Sequence, residues 1–151
     1  MMKFIVDYSG CCEQKHVIYR ENEYSFDTIL WLNEIDFDIA LNTLTLSVID
    51  SRVVQLNGFC GLSKAQKIGY TPPMSSKGFL KVVDSESYIQ KSGSFRINDI
   101  DIPIFINPQM NWIWIGHPQK KGTAVEFIDN CIFVIDEKQE FAALWIHLFL
   151  V

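Results

Sequence analysis

Apolar residues at every second position recur along nearly the whole chain, and this period limits it to folds built from half-buried strands. Leu44, Leu46 and Val48 alternate with Thr45 and Ser47, which places the apolar set on one face of a strand and the hydroxyls on the other. Asp50-Ser51 supplies a turn, and Arg52 to Phe59 resumes the pattern with Val53, Val54 and Leu56. Residues 43–59 therefore read as a hairpin, with a break or bulge at Asn57-Gly58. Lys3 to Val6 and Phe79 to Val83 read as further strands, as does Phe95 to Ile106, where Ile100, Ile102, Ile104 and Ile106 alternate. Within that last run Asn98-Asp99 marks a turn or bulge, and Pro103, which has no N–H to donate, points to a sheet edge. Trp112 to Ile115, the long apolar run Val125 to Ile135 around Asp129-Asn130, and Phe141 to Leu150 complete the strand candidates.

The best helix candidate is Ser25 to Asn33, with Ser25 as cap and Ile29, Leu30 and Leu32 as the apolar face. Ser63 to Gly78, interrupted by Thr71-Pro72-Pro73, reads as a long loop with a short helical turn at residues 63–67. The expected architecture is mainly β: an antiparallel two-layer β-sandwich or partly open barrel of about eight strands with one or two short helices. A chain of 151 residues fits one domain, 1–151, burying about 68 to 70% of the surface its unfolded form exposes.

A hydrophobic content of 48% with 21% charged residues is that of an ordinary globular protein, and the net charge is -5 with a pI near 5.1. That balance argues against nucleic acid or an anionic membrane as partner, because phosphate neutralisation needs clustered Lys and Arg. Asp7 interrupts the first eleven residues, which are too short for a secretory apolar core. Phe141 to Val151 is about half the ~20 residues a spanning helix needs. The expected location is the cytoplasm. Cys11, Cys12, Cys60 and Cys131 read as reduced thiols, and an adjacent Cys11-Cys12 pair lacks the spacing of zinc ligands.

Motifs for catalysis are thin, and the expectation is a protein that is not an enzyme and takes no cofactor or metal. His16, His117 and His147 share no paired-ligand spacing. His117, in Gly116-His117-Pro118 after the tryptophan strand, sits where the chain must turn and reads as a surface histidine, with a catalytic role as the sharper alternative. His147 alternates with Trp145 and Phe149 and reads as an interior or edge histidine. The pairs Asp36/Asp38, Asp84/Glu86 and Asp99/Asp101 would each aim two carboxylates at one strand face, the pattern of a solvated face as much as of an acid/base pair. Ser92-Gly93-Ser94 is no nucleophile elbow, and no Gly-Lys-Ser or Gly-Lys-Thr phosphate loop occurs. Trp112 and Trp114 share a face, as core anchors or as a stacking surface, with core the expectation and Ile113 and Ile115 opposite.

Charge is distributed in blocks. Between Arg20 and Arg52 lie seven carboxylates (Glu21, Glu23, Asp27, Glu34, Asp36, Asp38 and Asp50) and no basic residue, interleaved with Tyr24, Phe26, Trp31 and Phe37; Arg52 to Val83 holds five basic residues and no acid. An acid-and-aromatic stretch of this kind suits a surface that meets a cationic macromolecule. In whole-chain character and in the stretch Glu21 to Asp50, the chain resembles the bacterial immunity proteins that neutralise secreted or contact-delivered toxins. The resemblance implies a tight one-to-one complex with a cognate toxin domain, often a basic nuclease, whose active site is covered by carboxylates standing in for substrate phosphates. Candidate partner-binding residues are Glu21, Glu23, Trp31, Glu34, Asp36 and Asp38. Two rivals remain: a small-molecule binding protein or enzyme with a pocket near His117 and the 63–78 loop, and a scaffold that assembles through apolar strand edges.

Overall fold

The alternating segments pair into two sheets that share one core. The structure, a computed structural model, describes residues 1–151. In chain order the strands are β1 (Phe4–Asp7), β2 (His16–Arg20), β3 (Ser25–Ile29), β4 (Phe37–Leu41), β5 (Leu44–Ile49), β6 (Arg52–Phe59), β7 (Gln66–Lys67), β8 (Ser76–Lys77) and β9 (Phe79–Val82). A helix, α1 (Ser85–Lys91), precedes β10 (Ser94–Arg96), β11 (Ile104–Asn107), β12 (Trp112–Gly116), β13 (Thr123–Ile128), β14 (Cys131–Ile135) and β15 (Phe141–His147). The first sheet runs β1-β9-β6-β5-β4-β10, with β3 bonded to the far end of β6 and β2 to β3; the second runs β7-β11-β12-β15-β14-β13-β8. The β-sandwich expectation holds. Beyond β15, Phe149 and Val151 exchange backbone hydrogen bonds with Tyr19, so the second sheet's last strand is stitched to β2 and one side of the sandwich is closed.

Between the sheets lies a core of 26 buried residues, drawn from the inward positions of both, with Ile39, Leu46, Leu56 and Leu80 facing Ile113, Ile115, Phe133 and Leu144. Burial of these side chains, each worth about 1.5 to 3 kcal/mol, is the main favourable term. The hairpin at residues 43–59 forms as expected, with Ile49 opposite Arg52 and the turn residues Asp50 and Ser51 both at positive φ. At its far end Gly58 has φ 127°, and a Cβ there would run into the Thr43 carbonyl, so glycine is required.

Three local expectations are corrected. Ser25–Ile29 is a strand: Phe26 and Thr28 are buried at the two-residue period, and pairing with β2 decides against the helix despite the Ser25 cap. The chain's helix is Ser85–Lys91, so Asp84 and Glu86 flank a helix start and do not share a strand face. The run Phe95 to Ile106 is two strands in different sheets, and the chain crosses between them at residues 97–103. There Asn42 binds both backbone polar groups of Ile102, donating from Nδ2 to its carbonyl at 2.9 Å and accepting its N–H at Oδ1 at 2.9 Å, as a neighbouring strand would.

The long loop is a strap. Its ends form β7 and β8, which pair with the opposite edges of the second sheet, β11 and β13. Seven strands at ~4.8 Å spacing span about 29 Å, and Lys67 to Ser76 reaches about 30 Å when extended, so the segment between them crosses the sheet almost taut. Pro72-Pro73 and Gly69 suit this extended course. Under the strap lies a second cluster of six buried residues, Trp114, Ile132, Val134, Ala142, Ala143 and Trp145, against which Ile68 packs. Trp114 is fully buried and stacks on Trp145 at 4.3 Å and on Phe105 at 5.5 Å, while Trp112 is half-buried against His147. Both tryptophans thus face away from the inter-sheet core, with Ile113 and Ile115 inside it; the strap, not the other sheet, covers Trp114.

Candidate functional site: an apolar ridge beside unpaired carboxylates

β3 stops short of the full length of β6, and side chains hold the segment beyond it in place. The Thr28 hydroxyl donates to the Leu56 carbonyl at 2.6 Å and accepts the Leu56 N–H at 3.0 Å, replacing a ladder step. Four residues on, the buried amide of Gln55 accepts the Leu32 N–H at 2.8 Å and donates to the Leu32 carbonyl at 2.9 Å. This two-way clasp satisfies a backbone that has no strand partner. Between the two anchor points the chain turns its side chains to solvent: Ile29 is 42% exposed, Leu30 77%, Trp31 39% and Leu32 41%. Four consecutive large apolar residues held open by a buried glutamine form a ridge.

Next to the ridge runs a polar row across the outer face of the first sheet, set by register: Gln55 opposite Ser47, and Ser47 opposite Asp38. Asp38 accepts the Ser47 hydroxyl at 2.9 Å, and Asp36 accepts the Asp50 N–H at 2.9 Å, capping the turn between β5 and β6. Glu34 is exposed and has no hydrogen-bond or ion-pair partner. None of Glu34, Asp36, Asp38 and Asp50 pairs with a cation, because the five ion pairs lie elsewhere. Arg52, Lys77 and Lys81 of the basic block pair with Glu13, Asp129 and Asp7, outside the acid block. Only Asp27 of that block is neutralised, by Arg20 at 3.6 Å.

The six residues singled out in the sequence do not form one patch. Trp31 and Asp38 lie level with Gln55 in the middle of β6, and Asp36 lies at the turn before Arg52. Glu21 and Glu23 lie in the β2–β3 turn, next to Ser25, which is opposite Phe59 at the other end of that strand, about 13 Å from the level of Gln55 and about 23 Å from Arg52. There they neighbour the exposed Tyr24 and Phe59. Sequence reading missed Gln55, whose only signal was a lone amide inside the apolar run of β6, and it missed that Ile29, Leu30 and Leu32 face outward.

Elsewhere the chemistry is structural. Cys11 is exposed and Cys12 buried, with the Cys12 thiol donating to Asp129 at 3.3 Å; burial pushes that thiol up to about 12, and Cys60 likewise. Glu13 links the sheets through its backbone to Phe127 and Asp129 and through its carboxylate to Arg52 at 3.2 Å, while Arg52 lies over the Phe79 ring at 4.4 Å. Lys15 is placed beside this pair with its ammonium buried and unpartnered, and burial lowers its pKa. No group of three or more His, Cys, Asp or Glu side chains is arranged to hold a metal ion, and no helix is long and apolar enough to cross a membrane.

Two of the hollows beside the second sheet bring together charged or imidazole side chains. One, of about 650 Å³, opens between α1, β10 and the β14–β15 hairpin and carries both signs of charge, Arg96 and Lys120 with Asp136 and Glu140. The other, of about 460 Å³, lies where the strap meets the β12–β13 connection and brings His117 together with Pro73, Met74 and Trp145. No protein-family model and no curated protein matches this chain.

Proposed function

We propose that this chain is a binding protein of the immunity type, which acts in the cytoplasm by capturing and blocking a basic, nuclease-type toxin domain through the Ile29–Asp38 surface. The observation that carries this reading is the juxtaposition of Ile29–Leu32, exposed and clasped in place by Gln55, with carboxylates that have no cation of their own. A desolvated aromatic or aliphatic anchor ringed by charge is the usual make-up of a tight interface. The anchor sets the dissociation rate, and the charges speed encounter with a partner of opposite sign. Carboxylates that a basic active site meets in place of substrate phosphates need to be free of internal ion pairs, as Glu34 and Asp36 are.

The test is capture of secreted or surface-displayed protein domains on the immobilised chain, with two variants as controls. Leu30→Asp and Glu34→Lys alter the surface without touching a hydrogen bond, unlike changes at Asp36, which caps the β5–β6 turn, or at Asp38, which accepts the Ser47 hydroxyl. A basic domain that is retained by the parent chain, lost on Leu30→Asp, and whose association slows with added salt and with Glu34→Lys supports the reading. Retention unaffected by both variants would remove this surface from consideration.

A further inference from the structure

The two sheets part at one corner of the sandwich, and the edge of the core shows there. The hollow of about 650 Å³ is bounded by α1 and β10 on the side of the first sheet and by Phe141 of β15 on the side of the second, with Ile97, Asn98 and Ile102 of the crossing between them. Six of its lining residues, Met2, Tyr88, Phe95, Ile97, Ile102 and Phe141, pack on the 26-residue core, yet each is only half-buried. A molecule entering the hollow meets these accessible side chains and completes the cover of the core. Four charged residues also line it, and two are committed to each other: Lys120 donates to Asp136 at 3.1 Å, while the other Asp136 oxygen accepts the N–H groups of Lys138 and Glu140. The remaining two are free. Arg96 donates from Nε to the Asn98 carbonyl at 3.2 Å, which leaves both terminal nitrogens without a partner, and the Glu140 carboxylate has neither a hydrogen bond nor an ion pair. Both line one hollow without pairing with each other.

We propose that this hollow binds a short apolar peptide with free ends, its carboxylate on the Arg96 guanidinium, its ammonium on the Glu140 carboxylate, and its side chains against Phe95, Ile102 and Phe141. A lone cation would favour an apolar anion, and a lone carboxylate an apolar amine; one of each, unpaired, favours an apolar body that carries both charges. The planar fork of a guanidinium matches a carboxylate in two hydrogen bonds. The size fits, since pockets for small ligands run from about 300 to 1,000 Å³. The site shares no residue with the Ile29–Asp38 surface and does not depend on the function proposed for it.

The experiment is calorimetric titration of the full chain with the dipeptide leucyl-phenylalanine and, in parallel, with its N-acetylated form and its C-terminal amide. Saturable binding of the free dipeptide is expected, with each blocked form weaker by about two- to fivefold, the scale of one exposed ion pair. Arg96→Gln should weaken the free dipeptide by about the same factor and leave the amide unchanged, whereas Glu140→Gln should weaken the free dipeptide and leave the acetylated form unchanged. Thermal unfolding recorded alongside confirms that both variants are folded. Lys121→Gln, in the hollow at the strap, should change nothing. No saturable binding of the dipeptide, equal affinity for the blocked forms, or loss of affinity on Lys121→Gln in place of Arg96→Gln would each overturn the proposal.

Discussion

Two segments of this protein leave the strand pattern, and they treat apolar surface in opposite ways. The strap, residues 63–78, crosses the outer face of the second sheet over a stack of three aromatic rings, of which Trp114 and Trp145 are closed from solvent. The segment after β3 crosses part of the outer face of the first sheet, and there it buries a glutamine and leaves Ile29, Leu30, Trp31 and Leu32 in water. Both are fixed to their sheets by hydrogen bonds, so the difference lies in what each covers and not in how firmly it is held. The run of exposed apolar side chains on this tethered segment is what the proposed binding surface rests on.

Substitutions should separate the two segments. The largest effect is expected from Trp145→Ala beneath the strap: about 3 to 5 kcal/mol of stability lost, read as a shifted denaturant midpoint, because the neighbouring Trp114 and Val134 cannot collapse into the space. Leu30→Ala, at a side chain 77% exposed, should do the converse, moving stability by less than about 0.5 kcal/mol while costing a bound partner about 1 kcal/mol or more, measured by titration. If it unfolds the chain instead, the ridge is core and the contrast fails. Gln55→Ala, which leaves both the N–H and the carbonyl of Leu32 without partners, should cost about 1 to 3 kcal/mol, with amide exchange rising first at Leu32.

Acid gives the smallest effect, and it falls on the strapped sheet. His147 is held below its ordinary value by burial, so on acidification the unfolded chain takes up its proton first and stability declines as the pH drops below about 6.5. Asp136 is held below the usual carboxylate value of 3.8, first by the Glu140 backbone N–H and also by Lys120 and the Lys138 N–H. Its contribution is complete above that value and is lost at more acidic pH. Thermal midpoints followed from neutral to acidic pH should therefore fall in two stages. His147→Phe should remove the first stage only, and Asp136→Asn should blunt the second.

Much of the fold was legible from the period of two. Leu44 to Val48, Arg52 to Phe59 and Trp112 to Ile115 lie where alternation and turn residues put them, whereas the apolar run Val125 to Ile135 is two strands that turn at Asp129-Asn130. What failed did so where tertiary contacts overrode local pattern. Ser25 to Asn33 has a cap residue and a helical apolar spacing, yet β2 and β6 supply pairing partners on either side of β3, and the apolar residues that would have faced a core, Ile29, Leu30 and Leu32, are the exposed ones. Ile100 is exposed for a related reason: the apparent strand through it is a crossing between sheets, held by Asn42, which lies 60 residues from Ile102 in sequence. The acid block was visible, but its division was not. Only the register of β3 on β6 reveals that Glu21 and Glu23 occupy one end of the sheet and Glu34 and Asp36 the other.

The strap's ends have a consequence for self-association. A sheet edge presents a row of free N–H and C=O groups on which another chain can align, and proteins guard such rows. Here one segment guards both: β7 bonds to β11 and β8 to β13, so the outermost long strands of the second sheet, Ile104–Asn107 and Thr123–Ile128, each have part of their open side occupied. Lys67 and Lys77 add a cation at each of these borders. A protease cutting at Met74, which is 99% exposed, would sever the two guards, leaving β7 held with Ile68 and Tyr70 on β11 and β8 held on β13 only by its short pairing and the Gly78 N–H. Fibril formation after such a nick would then measure how much of this protein's solubility depends on an unbroken strap.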